Sequence, residues 1–211
     1  MAAITERISH ILWKMIPSFF KDEDQVKKVP HCNTFHSDLE LAVKEFLSHM
    51  NKDSILNIGT IVYLGGAEIK SQGRHASALV ANTLNRHNQL PNETLLAVLK
   101  SLNMICASDL ATNKNLYEET HLLENIFNII VDKDRPMLIA KWAIHVLYCV
   151  LLGSERPSID YQRQLVGILD KFYHQDWSDF KHNYASKCID FLNRPLVSLS
   201  RNPQLRFLNN L

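Results

Sequence analysis

The stretch "HLLENIFNIIVDKDRPMLIAKWAIHVL", residues 121–147, returns 42 residues later as "RQLVGILDKFYHQDWSDFKHNYASKCI", residues 163–189. Leu123 aligns with Leu165, Ile126 with Ile168, Ile130 with Phe172 and Asp134 with Asp176. Further on, Ala143 aligns with Ala185, Val146 with Cys188 and Leu147 with Ile189. Two generic amphipathic helices would not keep one offset across both helices and the joint between them. The chain therefore repeats a helical unit, and the repeat governs how the rest is read.

Stepping the same offset toward the N-terminus extends three columns. Gly59, Ser101, Ala143 and Ala185 are all small; Val62, Met104, Val146 and Cys188 are all apolar; Tyr63, Ile105, Leu147 and Ile189 follow them. A small residue once per unit is what close helix packing requires, because a larger side chain would hold the backbones apart. Apolar i, i+3, i+4 spacing predicts helices over 54–64, 75–87, 93–107, 121–131, 136–152, 161–173 and 183–194, with no sustained alternating run to compete. "SDLELAVKEFLSHM" adds another, opened by Ser37 as N-cap with Glu40 in a capping box. "GGAEIKSQG", with Gly65, Gly66 and Gly73, reads as a helix stop followed by a flexible loop. The expected fold is all-α. A period near 42 places it with the armadillo and HEAT α-solenoids, of which about four stacked units are present.

"YEETHLLENIFNIIVDKDRPMLIAKWAIHVLYCV" resembles an armadillo repeat, and "KWAIHVL" resembles that family's third-helix signature Trp-Ala-Leu-Ser-Asn-Leu. "LVGILDKFYHQDWSDFKHNYASKCIDFL" is similar to the same repeat, with Tyr184 where Trp142 stands. The likeness covers residues 116–192 and, more loosely, 37–111. It implies a right-handed α-solenoid whose third helices line a concave, protein-binding face. In family members that grip extended peptides, the signature Asn holds the peptide backbone, since an amide both donates and accepts. The matching places here are Val62, Met104, Val146 and Cys188; one place earlier they are Ile61, Asn103, His145 and Lys187. Neither register carries an Asn ladder, so importin-like or catenin-like peptide capture is not expected. The residues expected to form an exposed, partner-contacting strip are Lys141, His145 and Tyr148, with Asn183, Lys187 and Asp190 as their counterparts 42 residues on.

The domain organisation expected is an amphipathic helix and linker over 1–36, a helical repeat domain over 37–200 and a tail over 201–211. Ile4, Ile8, Ile11, Leu12, Met15 and Phe19 share one face of the first helix. That helix suits a cap over the open end of the stack. The alternative is a membrane-surface anchor, because Trp13, Phe19 and Phe20 accompany Arg7 and Lys14.

Bulk chemistry narrows the function. Of 211 residues, Lys plus Arg number 23 and Asp plus Glu 22, so no bulk charge draws the chain to nucleic acid. The last stretch is locally basic, with Lys181, Lys187, Arg194, Arg201 and Arg206 against Asp190. The four Cys include no C-x-x-C pair, and three lie in apolar helical runs. That pattern suits reduced thiols in a soluble, cytoplasmic protein. His31, Cys32 and His36 offer three metal-type ligands where structural zinc takes four, so no metal is expected. No phosphate loop, nucleophile elbow, zincin or dinucleotide fingerprint occurs. His145 has no orienting partner or cleft at sequence spacing, so no catalytic residue, cofactor or small-molecule substrate is expected. The expected function is a non-enzymatic protein-interaction scaffold.

Overall fold

A computed structural model describes residues 34–108, 120–153 and 157–194 of the chain. The helix expected over 4–20, His31, Cys32 and the tail 201–211 lie outside the described residues. Every regular element among the described residues is helical: α1 (Phe35–Ser48), α2 (Lys52–Gly65), α3 (Lys70–Asn82), α4 (Asn92–Ala107), α5 (Leu122–Val131), α6 (Met137–Gly153), α7 (Ile159–Tyr173) and α8 (Tyr184–Asn193). The 3₁₀ turns Gly66–Ile69 and Thr83–Gln89 flank α3.

Local chemistry sets the boundaries. Asn51 caps α2 by accepting from the Ser54 N–H at 2.8 Å. Ser158 and Asn183 cap α7 and α8 in the same way. Gly66 ends α2 at φ +43°, and its N–H bonds the Val62 carbonyl. A Cβ there would meet nothing, so only the left-handed backbone requires glycine.

Two sequence expectations are corrected. Helix α1 starts before Ser37: Thr34 is its N-cap, its hydroxyl bonding the Asp38 carboxylate at 2.8 Å, while Ser37 bonds back to the Thr34 carbonyl. The earlier start brings Phe35 against the core, and Glu40 pairs with Lys44 instead of closing a capping box. The segment after Gly66 is not a flexible loop. After one 3₁₀ turn the chain re-enters helix at Lys70, because Ile69, fully buried, must be held on the core side.

Four helices pack in series, α2 on α4, α4 on α6 and α6 on α8, while α1 and α3 flank α2, α5 flanks α6 and α7 flanks α8. The small column lies in those contacts. A Cβ at Gly59 would stand 2.7 Å from the Ser101 Cα, and Ser101, Ala143 and Ala185 are wholly buried. Polar links cross the same seams. Asn103 donates to the Cys149 sulfur at 3.5 Å, and the Cys188 thiol to the Ile144 carbonyl at 3.8 Å. Arg135 ties the α5–α6 turn to the turn before α4. Its guanidinium donates to the carbonyls of Leu90 (2.9 Å) and His87 (2.8 Å) and to the Asn92 side chain (2.6 Å), with Asp132 at 3.6 Å.

Candidate interaction surface

Lys141, His145 and Tyr148 share one face of α6, as their spacing requires. That face is not the open strip expected of it. Lys141 is 9% exposed and His145 only 5%. The reason is the turn from His174 to Asn183, which lies over the first half of α6 and carries Trp177 and Phe180. The Lys141 ammonium donates to the Asp176 carbonyl and stands 5.7 Å from the Trp177 ring centroid. His145 stacks on Tyr184 with centroids 3.6 Å apart, with Trp142 at 5.6 Å and Phe180 edge-on at 6.1 Å. Trp142 and Phe180 are 5.1 Å apart, and Trp177 and Phe180 5.3 Å. Burying such rings at about 25 cal/mol per Å² outweighs keeping one imidazole in water.

Electrostatics follows from that cover. Burial, aided by the nearby charge of His182, pushes the His145 pKa down to about 3. The ring is a neutral aromatic surface at neutral pH, packed among Trp142, Phe180 and Tyr184. Burial raises the Tyr184 hydroxyl to about 12, helped by Cys149 and Tyr148. Burial also raises Cys149 to about 12, against the Asn103 hydrogen bond, and pushes Cys188 up as well. Both thiols are therefore protonated and poorly nucleophilic.

Asn183 also leaves the expected strip. Its carbonyl oxygen caps α8 through the Ser186 N–H at 3.0 Å, and its amide donates to the Tyr173 carbonyl at 2.7 Å. The remaining three expected residues reach solvent. Tyr148 and Lys187 are half-buried and Asp190 is exposed. The Lys187 ammonium lies 5.7 Å from the Tyr148 ring centroid, bridging α6 and α8. A second lysine, Lys100 on α4, stands 5.4 Å over Trp142, a pairing that helical spacing does not reveal because the partners lie on different helices.

In both registers of the armadillo peptide-gripping position most residues are buried, with Met104 and Lys187 half-buried. Val62, Val146 and Cys188 are wholly buried, and Ile61, Asn103 and His145 nearly so. Among the described residues no His, Cys, Asp and Glu group has metal-site geometry. His36 instead hydrogen-bonds Gln72 at 2.7 Å. A shallow polar cleft of about 430 Å³ opens between α1 and α2, lined by Lys44, His49, Asp53 and Asn57 among others. No helix among the described residues is long and apolar enough to cross a membrane. No family model, curated protein or solved structure matches the chain.

Proposed function

We propose that the chain is a non-enzymatic protein-interaction module, a short right-handed α-solenoid of about four armadillo-like units. The observation that supports this reading best is the α2–α4–α6–α8 series, spaced by the small column Gly59, Ser101, Ala143 and Ala185. Stacked units of this kind hold a surface rigid before binding, so little conformational entropy is lost on association. The partner-contacting part is the accessible half of the α6–α8 face: Tyr148, Lys187 and Asp190. A cytoplasmic setting suits the thiols of Cys149 and Cys188, which form no disulfide.

Site-specific photo-crosslinking in cells tests the reading. A benzophenone side chain replacing Tyr148 or Asp190 is expected to give discrete protein adducts; one replacing Arg163, exposed on α7, is not. Identical adducts from all three positions, or none from any, would sink it.

A second reading rests on Trp13, Phe19 and Phe20 beside Arg7 and Lys14: a peripheral membrane adaptor anchored by residues 4–20. Co-sedimentation with anionic liposomes separates the two. The full chain should pellet and residues 21–211 should not; if both stay in the supernatant, the anchor is abandoned.

A further inference from the structure

We propose that the open half of the α6–α8 face binds an acidic peptide segment of another protein that also carries apolar side chains. This rests on the interaction-module reading and names the partner's chemistry.

The face is divided by the turn that covers it. The Lys141 and His145 half is closed, and Tyr148 begins the half that is not. One turn beyond Tyr148 on α6 is Leu152, 49% exposed. One turn beyond Lys187 on α8 is the half-buried Phe191, and Arg194 lies on the same side a further turn on. These residues make an apolar floor edged by cations. Lys181 and His182 adjoin it from the covering turn. The His182 pKa is lowered first by burial and then by the nearby charges of Lys187 and Lys181. Arg194 likewise acts on the Tyr148 hydroxyl.

The covering turn carries Asp176 and Asp179 as well, but the two helices add little negative charge. Helix α6 contains no Asp or Glu, and α8 contains only Asp190. Among the described residues no carboxylate pairs with Lys181 or Lys187, whose one ring contact is that of Lys187 with Tyr148. The chain's own continuation is no complement, because residues 195–211 carry Arg201 and Arg206 and no acidic residue. A polyanion such as nucleic acid would be expected to draw on a wider basic field, whereas the whole chain carries a formal charge of only +1. A few cations around Tyr, Leu and Phe fit a segment that alternates carboxylates with apolar side chains.

Fluorescence anisotropy with a labelled Glu-Glu-Phe-Glu-Glu-Leu peptide tests this on the full chain. Its Lys-for-Glu counterpart, a single-stranded DNA oligonucleotide and phosphatidylserine vesicles serve as rival ligands. The acidic peptide is expected to bind best, and more weakly as salt rises. Combined Lys187→Glu and Arg194→Glu should weaken binding by roughly tenfold. Asp190→Lys, which removes the opposing charge at an exposed site, should strengthen it by about threefold; a damaged fold could not produce that gain. Circular dichroism checks that each variant is folded. Equal binding of the Lys peptide, tighter binding of DNA or vesicles, or an unmoved Asp190→Lys affinity overturns the proposal. If crosslinks still form at Tyr148 while the acidic peptide fails to bind, the interaction module stands and its acidic partner does not.

Discussion

The turns joining α5 to α6 and α7 to α8 occupy the same place in the 42-residue period, yet they are fastened from opposite sides. At the first, the later unit reaches back: Arg135 donates to the carbonyls of His87 and Leu90 and to Asn92. At the second, the earlier unit reaches forward: Lys141 on α6 donates to the Asp176 carbonyl. Trp177 stands where Arg135 stood, and its indole N–H bonds the Phe172 carbonyl at 3.0 Å. Each turn also closes on an aspartate, but two places out of register. Asp132 accepts from the Asp134 N–H, and Asp176 from the Ser178 N–H and hydroxyl, which hold the Asp176 carboxyl below its usual range. At both joints a cation meets main-chain carbonyls, and which unit supplies it differs. Where the cation comes from above, the turn is left open to carry aromatic rings, and those rings close over the α6 face.

The largest test of that contrast is Arg135→Met. It strips three hydrogen bonds from a side chain only 13% exposed and takes this donor from the Leu90 carbonyl, while the His87 carbonyl keeps the Leu90 N–H. A loss of about 3 kcal/mol is expected in urea unfolding; a loss below about 1 kcal/mol would mean that the first joint is held by packing alone. Lys141→Met removes one hydrogen bond and one cation–π contact, for about 2 kcal/mol. The damage should be local, seen as faster hydrogen exchange over 174–183 with α4 still protected. If exchange rises equally in α4, the second joint is not a separable latch.

Acid probes the same cover without mutation. The His145 pKa is about 3 when folded against about 6.5 when unfolded. Below pH 6.5 the unfolded chain therefore takes up a proton that the folded chain refuses. Stability is full above that pH and falls by about 1.4 kcal/mol per unit as pH drops toward 3. His145→Phe should flatten that slope between pH 6 and 4 in chemical denaturation, on the order of the single-proton value; an unchanged slope would assign the acid sensitivity elsewhere. Trp177→Phe has the smallest expected effect. It keeps a ring in place and loses one hydrogen bond, for about 1 kcal/mol, and a loss as large as that of Lys141→Met would show that the indole, not the lysine, fastens the turn.

The contrast also explains what was legible in the sequence. The helices and the small column were readable because packing marks the sequence: a small residue is a demand of close backbone approach, and Gly59 against Ser101 meets it directly. The fastenings were not, because the acceptors of Arg135 and Lys141 are mostly carbonyls, which every residue has. The α6 spacing correctly grouped Lys141, His145 and Tyr148 on one face, but spacing within a helix says nothing of what lies across it. The aromatic residues of the covering turn sat in the sequence as an interval between helices. Asn183 was misplaced for a related reason: it stands 42 residues after Lys141, but α8 begins only at Tyr184, so its side chain serves the helix start. The cationic rim was visible as a basic stretch, without the Tyr148 contact that turns it into a surface.

The helix series has a consequence for how the molecule comes apart. Each of α2, α4 and α6 packs on the next helix of the series, about one period away in the chain, most extensively α2 on α4 and least α6 on α8. Contacts so near in sequence close small loops, which favours fast assembly and lets the order of loss follow position along the stack. Among the described residues α8 has no later member of the series to hold it, while α4 and α6 are gripped on both sides. Drawn out by its C-terminal end, the chain should therefore unzip unit by unit, yielding α8 and α7 first and keeping the α2–α4 pair as the last grip.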